Sequence, residues 1–251
     1  KAGLVEILEV RQGEVALPVK MLSPQGHGVT LDYAAFGTEP LLSSITNDTD
    51  NTRLLSLVRT TNLLKITLHP GSAFEALFQM SILGGESMTL VLPTDDNASW
   101  RFGYVSESGL TCLKEVYTPT GGHETVTYAS RAHYFPGQPG RTLPRVASHR
   151  RDPGYGQAAT ETRHEYDSRD HNFLGFGSGL SWRDDGLDNL YQVRSAYEYE
   201  TLEILWDALA GKAVREIRRV YNRFHLMTLE HTTQHSSDPA KSTLQTTETE
   251  Y

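Results

Sequence analysis

Cysteine is almost absent, with Cys112 the only one in 251 residues. No internal disulfide can form, and no cysteine-rich zinc site. The apolar neighbours in GLTCLKEVY read as the setting of a buried structural thiol rather than a nucleophile. Long apolar runs are missing too, and none approaches the roughly 18 to 20 residues a membrane helix needs. Positive charge is in deficit, 23 Lys and Arg against 31 Asp and Glu, for a net charge of −8. That balance argues against a phosphate-backbone binder, which needs a basic face to release counterions. Neither a nucleic-acid partner nor membrane insertion is therefore expected. The opening KAGLVEILEV has acids where a signal peptide would be apolar, so export would rely on information outside this segment.

Catalytic and cofactor motifs are equally scarce. There is no HExxH and no Gly-x-Ser-x-Gly elbow, and Ser178 in GFGSG has Gly on both sides rather than two residues away. The same glycines lack the Lys-Ser/Thr ending of a phosphate loop and read as close backbone approach or strand bending. The acids of NDTDNT (47–52) and Asp184, Asp185 and Asp188 fit solvated turns better than cation sites. No cofactor, no metal and no enzymatic activity are expected, although a pair of glycosidase carboxylates needs only to meet in space.

What is present is short strands and turns. LVEILEV and EVALPVKML flank a Gln12-Gly13 turn signal, Ser23-Pro24-Gln25-Gly26 is a second, and VTLDY follows. Residues 41–46, 53–59 and 63–68 are strand-length, as are MTLVLPT, SWRFGYV and LTCLKEVY. FEALFQMSIL (74–83) fits helix and strand alike, and so does TLEILWDALA (201–210), whose leucines have helical spacing. Trp100, Phe102 and Tyr104 alternate onto one strand face; they are either the inward side of a sheet or a sugar-stacking row. Residues 131–160 are rich in Pro and Gly and read as a connection between a sheet of repeats at 1–130 and a further repeat segment at 161–251.

Two kinds of repeat emerge. PQGHGVTLDY (24–33) and PTGGHETVTY (119–128) share Pro, Gly two residues on and Tyr nine residues on. ETRHEYD (161–167) and EIRRVYN (216–222) share Glu-x-Arg-x-x-Tyr-Asp/Asn, so that Tyr166-Asp167 and Tyr221-Asn222 mark equivalent places; Tyr251 in TTETEY looks like the start of another unit. Together with FLGF and WRFGYV…GLTCLKEVYTPTGGHETVTY (100–128), these units resemble the Rhs/YD-repeat proteins, which include bacterial polymorphic toxins and the shell-forming B/C components of insecticidal toxin complexes. The units are degenerate: Asp170 and His225 stand where the usual Tyr-Asp-x-x-Gly has its glycine, and Asp152-Pro153-Gly154-Tyr155 does not match the family's self-cleaving element.

The resemblance implies an all-β fold of tandem strand-turn-strand repeats winding as a curved, spiralling sheet, a fragment of a hollow shell. It implies a structural, non-catalytic role in enclosing a C-terminal toxin region. The implied partners are the remainder of the same polypeptide, the enclosed toxin and a bacterial secretion or translocation apparatus that exports or injects them. The rival readings are a carbohydrate- or receptor-binding β module centred on Trp100, Phe102 and Tyr104, and a glycan-cleaving enzyme.

Overall fold

The computed structural model describes residues 3–11, 15–236 and 241–249, with the backbone alone described at 95–97. The Gln12-Gly13 turn and Tyr251 lie outside the described residues. Two compact units divide the chain, Lys1–Phe102 and Gly103–Tyr251.

The first unit contains β1 (Val5–Arg11), β2 (Val15–Leu22), β3 (Gly28–Phe36), β4 (Glu39–Asn47), β5 (Arg53–Arg59), β6 (Leu63–Leu68), β7 (Ala76–Leu83), β8 (Glu86–Leu92) and the opening of β9 (Asp95–Glu107). Each strand pairs antiparallel with its sequence neighbours. Tight turns suffice for such a meander, and Gly84 and Gly85, both at positive φ, make the one between β7 and β8. FEALFQMSIL is thus a turn followed by a strand. Its apolar residues find cross-strand partners on both sides, Ile66↔Phe78 and Met80↔Leu90 among them, and this pairing overrides an ambiguous period.

The second unit continues with β10 (Leu110–Tyr117), β11 (His123–Tyr128), β14 (Val146–Asp152), β15 (Thr160–Tyr166), β16 (Glu198–Asp207), β17 (Lys212–Asn222), β18 (Met227–Gln234) and β19 (Thr243–Glu248). These also pair antiparallel in chain order, and β12 (His133–Phe135) and β13 (Gln138–Leu143) form a separate hairpin between β11 and β14. TLEILWDALA resolves as strand and turn: β16 runs to Asp207, whose Oδ1 accepts from the amides of Leu209 and Ala210. Its helical spacing is overruled by ladders on both sides, to β15 and β17. Seventeen of the strands belong to one antiparallel sheet. A 3-10 turn spans Asn189–Gln192.

Burial is uneven. Val19, Leu31 and Ile82 are the buried apolar side chains described in the first unit, while the second holds a cluster of Leu190, Val193, Tyr197 and Tyr199 with Leu180 and Tyr221 packed on it. That cluster sits where the 167–197 loop returns to the sheet. A loop of this length survives only if its own backbone and side chains satisfy one another, and this one does. Asn172 is the clearest example: its Oδ1 accepts from the amides of Leu174 and Phe176, and its Nδ2 donates to the carbonyl of Tyr134. Gly175, Gly177 and Gly179 lie here in turns at positive φ, outside any strand, which corrects the strand-bending reading. The close-approach reading holds at Gly177, where a Cβ would stand 2.6 Å from the His171 ring.

Candidate functional site

The repeat residues fall on turns of one design. At Asn222 the amide donates to the Leu226 carbonyl (3.0 Å), the His225 amide to the Asn222 carbonyl (3.0 Å), and the Leu226 amide to Asn222 Oδ1 (3.2 Å). Ser23 makes the same three bonds with His27 and Gly26, and Thr118 makes them with Gly122 and Gly121, each using its side-chain hydroxyl as the acceptor. The fourth residue of each turn is left-handed, with φ of 60° at His225, 84° at Gly26 and 83° at Gly121. This is a three-residue hairpin loop built on a type I turn and closed by a left-handed residue. The 24–33 and 119–128 stretches therefore share a turn as well as a sequence pattern.

Asp167 starts a variant of that turn. Its Oδ1 accepts from the Arg169 amide (2.8 Å), its carbonyl accepts from the Asp170 amide (2.9 Å), and Asp170 has φ of 61°. The chain then enters the long loop instead of returning, so the Asp167 amide bonds to Glu200 on β16. His and Asp at the usual glycine place keep the left-handed geometry because their short polar side chains tolerate it better than most. Burial pushes the Asp167 carboxyl up, but its hydrogen bonds from the Arg169 side chain and amide more than offset this and hold it below the usual range.

The tyrosines before these turns brace neighbouring strands. Tyr166 donates to the Val146 carbonyl across β14 (3.0 Å), and Tyr221 stacks on Tyr199 with centroids 5.2 Å apart. Tyr199 in turn bonds His225 Nδ1 (2.9 Å), and His225 Nε2 lies 2.6 Å from Asp188. Burial raises the Tyr199 phenol above its ordinary value, and a phenol 8% exposed in an aromatic stack is poorly placed to meet a substrate.

A second constellation was not expected from sequence. Arg145, 5% exposed, places Nη1 3.3 Å from Asp170, which also pairs with Arg131, and its Nε donates to His133 Nδ1 (3.2 Å). The guanidinium also lies over the Tyr166 ring, 5.3 Å from its centroid. Burial, and then the Arg145 charge, push the His133 pKa down to about 4. A neutral His accepting from Arg and a carboxylate held by two Arg form a structural clasp between the β12 entry and the start of the long loop. The one sequence hint was Asp170 in a glycine place, because a residue that strains its own turn is kept for what its side chain holds.

Trp100, Phe102 and Tyr104 are half-buried on β9, where strand alternation sets them on one side while Arg101 on the other is exposed. Asp184, Asp185 and Asp188 do not converge: Asp184 takes the Trp182 indole and Arg141, Asp185 caps Leu187, and Asp188 caps Leu190 and meets His225. In NDTDNT, Asn47 and Asp50 cap the amides of Thr49 and Thr52, and Asp48 pairs with Lys20 and Thr30. Among the described residues no group of three or more His, Cys, Asp or Glu could hold a metal ion. Ser178 Oγ is bonded within its own turn, to the Gly175 carbonyl (2.6 Å). Cys112 is half-buried rather than buried, close to the Tyr128 hydroxyl, because β10 turns it to a thinly covered side of the sheet.

In comparison with known proteins, the chain matches no protein-family model and no curated protein sequence.

Proposed function

We propose that this chain is structural wall material of an Rhs-type shell, a non-catalytic sheet that encloses a toxic C-terminal region until a bacterial secretion or translocation apparatus delivers it. The observation that carries this reading is the recurrence of one turn, at Ser23, Thr118 and Asn222, in an antiparallel ladder of successive hairpins. A fold built this way grows by adding hairpins, each needing its neighbours to cover its apolar side, and it gains area rather than a deep core. The Tyr-Asx units supply a reason for the sequence pattern: Tyr braces the preceding strand and Asx closes the turn.

On this reading the recurring chemistry of the wall is turn chemistry, its partners are adjoining repeats and the enclosed region, and its location is outside the producing cell or in a target. Limited proteolysis of the complete polypeptide tests it. The C-terminal region is expected to resist protease while the wall is intact and to be digested once the wall is opened by denaturant. Digestion of that region at the same rate in both conditions overturns the reading.

A further inference from the structure

The β14–β15 and β16–β17 turns leave between them a hollow of about 500 Å³, within the range of small-ligand sites. Leu205, Trp206 and Val214 are among its apolar lining, and Arg150, Asp152 and Asp207 are its charged lining. Trp206 is set there by a bulge in the β16–β17 ladder at Leu205/Trp206, the kind of irregularity that re-aims a side chain. Arg163 covers one face of the indole, its guanidinium carbon 3.7 Å from the ring centroid, and Arg163 does not line the hollow. What Trp206 turns to the hollow is therefore the remaining face and edge, with the ring fixed from behind.

The two acids are also fixed. Asp152 accepts from the Gly154 amide through Oδ1, and Asp207 from the amides of Leu209 and Ala210 through Oδ1, so each carboxylate is oriented by its turn with no protein partner for Oδ2 among the described residues. The charged lining is Asp152 and Asp207 with Arg150 alone, since Arg163 behind the indole is paired with Glu161 (2.6 Å), and this balance disfavours an anion and suits a ligand whose hydroxyls donate to the carboxylates. A rigid aromatic surface beside oriented hydrogen-bond acceptors suits a molecule with an apolar C–H face and a ring of hydroxyls.

We propose that this hollow binds a neutral hexose unit of a glycan, stacked on Trp206 with its hydroxyls donating to Asp152 and Asp207. The assignment is independent of the shell reading. Saturation-transfer NMR and tryptophan fluorescence on the full chain, with methyl glucoside, methyl galactoside, N-acetylglucosamine, maltose, lactose and chitobiose as probes, test it. At least one sugar is expected to bind saturably, at least tenfold more weakly after Trp206→Ala or Asp207→Asn, and unchanged after Trp100→Ala. Asp207→Asn keeps the carbonyl oxygen that caps the turn, so it stays informative should Trp206→Ala fail to fold by circular dichroism. No saturable binding of any of the sugars by the unaltered chain, or binding within twofold of it in Asp207→Asn, overturns the proposal.

Discussion

The first hundred residues and the segment between β11 and β16 are made of the same residue types and held by different means. In Lys1–Phe102 each strand pairs with the next one in sequence, and many apolar side chains are exposed, Val58 at 57% and Val10 at 72% among them. From residue 129 to 199 the chain leaves the ladder twice, and the two excursions lock on each other through Asn172–Tyr134, Trp182–Pro136 and Arg141–Asp184. Stability in the first region is spread over many similar hairpins. In the second it is concentrated in a few buried groups, so single substitutions there should matter far more.

The buried charge is the sharpest way to break that contrast. Asp170→Ala leaves Arg145 uncompensated in a site where it is 5% exposed, and is expected to cost about 3 to 5 kcal/mol of unfolding free energy in denaturant titration. A loss below about 1 kcal/mol would deny Asp170 its role. Leu190→Ala empties a fully buried position of the second region and should cost about 2 to 5 kcal/mol by the same measurement, toward the low end where the loop can collapse.

His133 makes the contrast depend on pH. Its proton is bound at pH 6.5 in the unfolded chain and resisted to about pH 4 in the folded one, so its contribution is complete above pH 6.5 and is lost as pH falls toward 4. The loss is at most about 3 kcal/mol. Denaturant midpoints taken across that window should fall with pH, and His133→Phe should flatten the slope; an unchanged slope would place the titration elsewhere.

Smaller effects come from the turns and the ladder. Asn222→Ala removes the acceptor for two amides and should cost about 1 kcal/mol, whereas Asn222→Asp, which retains that acceptor, should be close to neutral. In the first region Val58→Thr should change stability by no more than about 0.5 kcal/mol. A larger effect at Val58 than at Leu190 would erase the distinction between the two regions.

The all-β class was legible because strand-length runs and Gly, Pro, Asn and Ser turns are local signals. LLKITL and RLLSLVR became β6 and β5 where the pattern put them. TLEILWDALA and FEALFQMSIL were ambiguous because period alone does not record cross-strand partners, and only the ladders settle them. The clasp of Arg131, Arg145, Asp170 and His133 joins residues as far as 39 positions apart, which no local pattern reports. Trp206 was similarly hidden: a bulge one residue wide decides where it points, and its sequence neighbours suggest a helix face as readily. The Tyr-Asx units, by contrast, were visible as sequence because turn chemistry is written within five residues.

Electron microscopy of the complete polypeptide tests the central claim most directly. The wall reading predicts a hollow particle with density for a C-terminal region inside it and this segment traced as consecutive hairpins of the wall. A solid domain on a flexible tether, with no enclosed density, would contradict it.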